Sequence, residues 1–268
     1  FIGKKFISLA SKKGFYIFAI SRKKNQKKIR NVKWLKGEID EDWSHYLSQV
    51  DVVVHLASKG VITEKKEDYN KILNFNVLKS LYFILDAINN NCQKFVIAST
   101  SSEYFNDGDS NRSKLSTMSK RVFSTAYSLS KIIFTDIIKI ISKKINCNFR
   151  IMRIFPTYGE GEHKSRLYPT VKKYAQNNKD LYIKSPNEFR DFTKVEYVAR
   201  TLLEACEFKK TKKFEIFHVS SGQTMSVKKF VKNIWKKYRS KGKLSFNDST
   251  KIFKRHVSSK NSIWKINR

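Results

Sequence analysis

Tyr127 and Lys131 stand four residues apart in the segment Ala126-Tyr-Ser-Leu-Ser-Lys131. The segment that follows is apolar enough for a buried or half-buried helix, and residues four apart lie on one face of a helix. Because a nearby cation stabilises phenolate, we expect the pKa of Tyr127 to lie below its usual value near ~10. Such a tyrosine can exchange protons with a sugar or alcohol oxygen. The spacing also occurs by chance in ordinary surface pairs, so the surrounding elements must decide its meaning.

The bulk composition predicts a globular protein without a membrane span. The chain has 268 residues, of which 40% are hydrophobic, enough for one large domain or a domain with a smaller lobe. No run approaches the roughly 20 apolar residues that cross a bilayer. Its three cysteines (Cys92, Cys147 and Cys206) have no metal-binding spacing. We therefore expect free thiols in a reducing cytoplasm and no metal site.

The net charge of +32 raises the question of a polyanionic partner. Nucleic acid or an acidic surface would attract such a chain. The excess is mostly lysine spread along the sequence, which a lysine-, asparagine- and isoleucine-rich composition explains equally well. No aromatic-basic motif, zinc finger or arginine-rich arm accompanies it. Nucleic-acid binding therefore rests on charge alone, whereas phosphate-bearing small substrates would also be attracted.

Short apolar runs alternate with longer helical patterns, which predicts a parallel, doubly wound α/β sheet. The central run, Val50–Ala57, has the continuous apolar character of a strand covered on both faces. We expect a Rossmann-like domain over residues 1–160 and a smaller mixed lobe over 161–268. The predicted strands are 15–20, 32–35, 50–57, 94–98, 149–155 and 216–219, and the predicted helices are 4–13, 67–91, 125–145, 167–176, 195–208 and 226–238.

Several motifs follow one another in a family-specific order. His55-Leu-Ala57 ends the third strand, Ala98-Ser-Thr-Ser-Ser-Glu-Tyr104 ends the fourth, and Arg153-Ile-Phe-Pro-Thr-Tyr-Gly-Glu-Gly161 and Arg190-Asp-Phe192 come later. With the Tyr127/Lys131 pair, they resemble the extended short-chain dehydrogenase/reductase family in its nucleotide-sugar epimerase/dehydratase branch. The resemblance runs nearly end to end. It implies a Rossmann-type fold, an NAD(P) cofactor and a nucleotide-sugar substrate.

The resemblance also implies catalytic roles. Tyr127 would be the general acid/base, Lys131 its electrostatic tuner and ribose anchor, and Thr100 the hydroxyl that orients the reacting oxygen. Ser101 and Ser102, which are candidate substrate contacts, stand where dehydratases of this branch carry acids. This difference argues against a dehydratase and leaves epimerisation or keto-reduction.

The cofactor motifs match only in part. Phe1-Ile-Gly3 resembles the end of the family's glycine-rich loop, without the first strand and two glycines, so we expect a sequence truncated at both ends. Arg22 stands where an acidic residue usually selects NAD, which favours NADP. His55 ends a strand with no implied partner and is expected to be structural. The candidate cofactor-binding residues are Ile2, Gly3, Arg22, Glu38, Ile39, Leu56, Ala57, Asn76, Tyr127 and Lys131.

Two arginines are candidates for the substrate diphosphate, Arg190 in the Arg-Asp-Phe element and Arg166. By the same resemblance, a homodimer would form through helices 67–91 and 125–145. The expected function is a nucleotide-sugar epimerase, with an NADPH-dependent 4-keto-sugar reductase as the alternative. Two other classes remain open, a non-catalytic truncated remnant and a nucleic-acid binder.

Overall fold

The computed structural model describes residues 1–23, 26–62, 67–104, 115–208, 212–247, 249, 253–254 and 262–264. Strands and helices alternate through most of this range, as the sequence predicts. In chain order the elements are α1 Ile2–Lys12, β1 Ile17–Ser21, β2 Val32–Lys36, α2 Ser44–Leu47, β3 Val53–His55, α3 Tyr69–Leu73, a π-helical turn Asn74–Lys79, α4 Ser80–Asn89, β4 Lys94–Thr100, a 3₁₀ turn Ser101–Glu103, α5 Ala126–Ile141, β5 Asn148–Ile154, β6 Thr157–Tyr158, α6 Leu167–Gln176, β7 Leu181–Ile183, β8 Glu188–Arg190, β9 Thr193–Lys194, α7 Val195–Glu204, β10 Phe214–Val219, β11 Met225–Ser226, α8 Val227–Lys237, β12 Leu244–Phe246 and β13 Phe253–Lys254.

The central sheet is parallel, and its strand order is β10-β5-β4-β3. β1 and β2 form a second parallel ladder in which Ile17 pairs with Val32. Parallel strands need crossover connections, and helices supply them here. The predicted α/β fold with a doubly wound parallel sheet is thereby confirmed.

Consecutive residues of the central strands enter different cores. Phe95 and Ile97 of β4 pack with α4 and α5, whereas Val96 between them packs with α1 and α7. Because successive side chains of a strand point to opposite faces, both faces of the sheet are covered by helices. Phe149 in β5 stacks on Phe95 with the ring centroids 4.9 Å apart. Two helical layers therefore hold the strand ends in fixed positions.

A third core lies in the C-terminal part of the chain, between α6, α8 and the short strands β7 and β12. Phe192 and Phe230 stack with their centroids 3.9 Å apart. This core packs separately from the two sheet cores. A lobe boundary near residue 160 stays a prediction.

Two predicted elements differ from the observed ones. The helix expected over 67–91 is divided by the π-helical turn Asn74–Lys79. Such a turn inserts an extra residue per turn, and here it turns Asn76 into the interior, where the side chain finds polar partners. The strand expected over 50–57 pairs with β4 only at Val53–His55. In the part of the chain that the structure describes, no helix has the length and apolar character needed to cross a bilayer.

Candidate active site

The carboxyl end of β4 and the first turn of α5 bring the predicted catalytic residues together. Thr100 is the last residue of β4, and its Oγ1 accepts a hydrogen bond of 3.1 Å from Ser102 N. Thr125 caps α5 by accepting from Ser128 N at 3.1 Å, and Glu67 accepts from Ala126 N at 2.8 Å. These caps set where the helix begins. As a result, Tyr127 in its first turn faces Thr100.

Tyr127 is half-buried beside polar side chains. The hydroxyls of Thr100 and Ser58 lower its pKa, but burial has the larger effect and raises the pKa of Tyr127 to about 12. The expectation of a lowered pKa is therefore wrong for the protein alone. Desolvation of the phenolate outweighs the stabilisation by its neighbours. Gly60 packs against the same tyrosine, since a Cβ on Gly60 would lie 3.4 Å from Tyr127 Cβ.

Lys131 lies one turn below Tyr127 and is almost completely buried, with 2% exposure. Its Nζ donates to the carbonyl oxygen of Ala98 in β4 at 3.1 Å. Burial lowers the pKa of Lys131 to about 8, while the charge of Glu103 acts in the opposite direction. The ammonium thus points to the strand end rather than to the phenol. Within the described residues it makes this single hydrogen bond and keeps further N–H donors.

His55 at the end of β3 is structural, as expected. It is buried, and its Nε2 lies 3.0 Å from Ser80 Oγ in α4. Desolvation, followed by the charge of Lys131, lowers the pKa of His55 to about 3. The imidazole is therefore neutral at physiological pH and ties β3 to α4.

Asn76 uses its whole amide on protein partners. Its oxygen accepts from Lys59 N at 2.8 Å and Ser58 Oγ at 3.2 Å, and its nitrogen donates to Lys59 O at 3.0 Å and Ser130 Oγ at 2.9 Å. An amide offers two acceptor positions and two donors, so all are filled. Asn76 thus holds the loop carrying Ser58 against α5. A direct contact with a cofactor, as the sequence predicts, would require one of these bonds to open.

The other predicted cofactor residues lie near the carboxyl ends of β1, β2 and β3. Gly3 at the start of α1 approaches Leu56, since a Cβ on Gly3 would lie 3.7 Å from Leu56 Cδ1. Arg22 follows β1 and is exposed, Ile39 is buried, and Ile2, Glu38 and Ala57 are half-buried. Glu38 N donates to Glu41 Oε1 at 2.8 Å. Whether they contact a cofactor together with Tyr127 and Lys131 stays a prediction.

The turn after Thr100 carries a glutamate, Glu103, whose carboxylate is held by other side chains of the protein. Ser101 and Ser102 are half-buried, but Glu103 is fully buried and its Oε2 accepts from Arg153 Nε at 3.1 Å and Nη2 at 3.0 Å. Ser99 Oγ also donates to Glu103. A carboxylate held in this way is not free to take part in an elimination. Glu103 therefore does not replace the dehydratase acids that are absent from the two positions after Thr100.

Arg190, the first arginine candidate, lies in the C-terminal part of the chain. It ends β8 and lines a cleft of about 380 Å³ together with Thr170 of α6, Tyr182 of β7 and Lys184. Its Nη2 pairs with Glu188 Oε2 at 2.6 Å, and its Nε is buried without a hydrogen-bond partner among the described residues. An orphaned cationic donor of this kind is suited to an anionic ligand. The neighbouring Asp191 anchors the loop 220–222 through bonds to Ser220 Oγ, Ser221 N and Gly222 N.

Arg166, the second arginine candidate, bridges two loops at the mouth of the site. It precedes α6, and its Nη2 donates to Val61 O at 2.6 Å, while its charge lowers the pKa of Tyr127. The same charge acts on Glu162, whose pKa burial nonetheless raises to about 7. Glu162 and Ser58 were not predicted from the sequence. Ser58 directly follows the His-Leu-Ala motif, which offered a signal for it, whereas Glu162 had none.

No group of three or more potential metal ligands occurs among the residues described here.

The sequence model of the NAD dependent epimerase/dehydratase family matches residues 1–220. The chain belongs to this family. A curated relative is the dTDP-4-dehydro-6-deoxyglucose reductase of Escherichia coli, 24% identical over 203 residues, which are 74% of this chain and 63% of the reductase. The chain thus spans less than two thirds of that relative's length.

Solved members of the epimerase/dehydratase fold superpose closely. A UDP-N-acetylglucosamine 4-epimerase from Methanobrevibacter ruminantium, in complex with UDP-N-acetylmuramic acid, has a TM-score of 0.86 at 18% identity, covering 97% of this chain and 87% of its own. MoeE5, in complex with UDP-glucose and NAD, has a TM-score of 0.82 at 16% identity, covering 100% of this chain and 91% of its own. At such identities the likeness supports the Rossmann-type fold alone.

Proposed function

We propose that the protein catalyses NAD(P)-dependent hydride transfer at a carbon of a nucleotide-linked sugar. The observation that carries this proposal is the convergence of the Tyr127 phenol, the Thr100 hydroxyl and the buried Lys131 at the carboxyl end of β4. Tyr127 takes the proton of the reacting sugar hydroxyl when hydride leaves, and returns it when hydride comes back. Thr100 orients that oxygen.

The residues present fit the cofactor that the family implies. The buried Lys131 ammonium keeps donors for ribose hydroxyls, and the half-buried Ile2, Leu56 and Ala57 offer apolar contacts beside it. When bound, the nicotinamide supplies and accepts the hydride. The positive charge of a bound nicotinamide ring would also lower the pKa of Tyr127, which burial raises to about 12. The exposed Arg22 is the residue through which NADP would be preferred over NAD.

We place the nucleotide diphosphate of the substrate in the cleft lined by Arg190. Arg190 lines the cleft, its Nη2 pairs with Glu188, and its buried Nε lacks a hydrogen-bond partner among the described residues. Arginine binds phosphate oxygens through such parallel donors. The sugar then extends from Arg190 towards Thr100 and Tyr127, passing Ser101 and Ser102. The protein's high positive charge favours the approach of this anionic ligand.

We favour epimerisation, in which the hydride leaves and returns to the same sugar carbon and the cofactor is not consumed. A second candidate is reduction of a 4-keto sugar with net consumption of NAD(P)H. The reductase among the curated relatives favours this second candidate. Both reactions use the same Tyr127 proton transfer. They differ in whether reduced cofactor is consumed during turnover.

The decisive experiment combines one substitution with a cofactor balance. Tyr127→Phe is expected to abolish turnover of sugar nucleotides while the cofactor dissociation constant changes little, because only the hydroxyl is removed. Tyr69→Phe, on the surface of α3, is the matched control. Isomer formation without a change in NAD(P)H absorbance identifies an epimerase, and stoichiometric NAD(P)H loss identifies a reductase. Full turnover by Tyr127→Phe would refute the catalytic assignment.

We also propose a cytoplasmic homodimer. Leu78 and Tyr82, on the π-helical turn and α4, are exposed by 50% and 64%, and Ile140 on α5 is exposed by 65%. Large apolar side chains on adjacent helices are typical of an interface between copies. The two helices are those for which the family resemblance implies dimerisation.

A further inference from the structure

Glu162 is a carboxyl group that the fold buries without using. Its Oε2 is inaccessible to solvent and has no hydrogen-bond partner among the described residues. A buried polar atom without a partner costs free energy, so native structures seldom keep one without a reason. The backbone of Gly159 is the one hydrogen-bond partner of the carboxyl that affects its ionisation. Its neighbour Glu160 is exposed and pairs with Lys172 at 2.5 Å instead.

The position of Glu162 connects it with the Tyr127 site. The charge of Arg166 lowers the pKa of both Glu162 and Tyr127. Arg166 also donates to Val61 O at 2.6 Å, and Gly60 beside Val61 packs on Tyr127. The Arg166 bond therefore joins the loop that carries Glu162 to the loop that packs on Tyr127.

We propose that Glu162 is a sugar-binding residue, whose buried Oε2 accepts a hydrogen bond from a hydroxyl of the sugar ring in the nucleotide-linked substrate. This inference rests on the proposed function, because it requires a sugar held near Tyr127. A carboxylate is an acceptor with two oxygens and suits hydroxyl donors. The bond would satisfy the orphaned atom and would select substrates that carry a hydroxyl at this position.

Binding should then change the protonation of Glu162. Burial raises its pKa to about 7, so the free protein holds it partly protonated at neutral pH. A hydroxyl donor stabilises the carboxylate and lowers that pKa, so sugar binding releases about half a proton at pH 7. Arg166 is the charged group that acts on Glu162, and it is retained in the variants below.

The test measures binding rather than turnover. Calorimetric titration at pH 7 in two buffers of different ionisation enthalpy counts the protons released, first with nucleoside diphosphate and then with the sugar nucleotide. In the wild type the sugar nucleotide should release about half a proton. The diphosphate, whose own terminal phosphate titrates near neutral pH, serves only to compare affinities at one pH. In Glu162→Gln the release should vanish and sugar-nucleotide affinity should fall by about fivefold, with unchanged diphosphate affinity. Glu160→Gln is the matched control and should behave as the wild type.

Equal proton release in Glu162→Gln and the wild type, or proton uptake, would overturn the inference while leaving the proposed function intact. Failure of every sugar nucleotide and diphosphate to bind would overturn both. If Glu162→Gln does not fold, the wild type decides alone. Its sugar-nucleotide affinity should rise by about tenfold between pH 6 and pH 8, and an affinity that does not change with pH contradicts the inference.

Discussion

The buried ion pair behind Thr100 gives a prediction about stability. Glu103 and Arg153 are exposed by 0% and 1%, and two guanidinium nitrogens lie 3.0 and 3.1 Å from Glu103 Oε2. Arg153 Nη1 also donates to Thr117 O at 2.9 Å and to the Tyr104 hydroxyl, which lies 2.8 Å from His218 Nε2. Replacing Arg153 by Met leaves a carboxylate without its partner in a desolvated site. Breaking one side of such a pair costs about 3–5 kcal/mol.

The full experiment is a double-mutant cycle measured by urea unfolding. Arg153→Met and Glu103→Leu should each lower the free energy of unfolding by about 3–5 kcal/mol, and the double variant by about 2 kcal/mol less than their sum. Arg121 lies 3.9 Å from the same carboxylate but is 28% exposed, and it pairs with the exposed Asp136. Arg121→Met, the matched control, should cost about 1 kcal/mol or less.

A cost below about 1 kcal/mol for Arg153→Met, or strict additivity in the cycle, would refute this reasoning. Either result would mean that water reaches the pair or that the turn rearranges without strain. Catalysis provides a second readout. Because Glu103 ends the turn that begins at Thr100, a displaced pair should lower turnover more than it weakens cofactor binding.

Three further predictions follow from the fold. Burial holds His55 and His218 neutral in the folded protein, each with a pKa of about 3, whereas in the unfolded chain the same histidines take up protons below their usual pKa of 6.5. The free energy of unfolding should therefore decrease as the pH is lowered, by about 2 kcal/mol per histidine between pH 7 and pH 5. A melting temperature that stays constant over that range would contradict this. Asp191→Asn should cost about 2 kcal/mol in urea unfolding, because the loop 220–222 loses its buried acceptor, and a cost near zero would show that the loop is held by other contacts. Leu78→Glu combined with Tyr82→Lys should yield a monomer in light scattering where the wild type is a dimer, and an unchanged mass would exclude this face as the interface.

Local sequence determined the elements and the positions of the two candidate catalytic residues on α5. The spacing of Tyr127 and Lys131 places both on α5, and the Ser/Thr run after an apolar strand predicts the hydroxyl of Thr100 at its carboxyl end. The sequence predicts a structural role for His55, and the structure buries it beside Ser80 of α4. These features depend on residues within a few positions of one another. Periodicity predicts the helix and the strands, whereas the roles expected of Tyr127, Lys131 and Thr100 are what the family resemblance implies.

Only the tertiary structure decided the electrostatics. Desolvation by distant segments raises the pKa of Tyr127, although its sequence neighbour Lys131 suggested the opposite. The filled amide of Asn76, the pairing of Arg190 with Glu188 and the unused carboxyl of Glu162 likewise depend on which loops meet. Burial and partner choice are properties of three-dimensional proximity. A single sequence encodes them through contacts that spacing along the chain does not reveal.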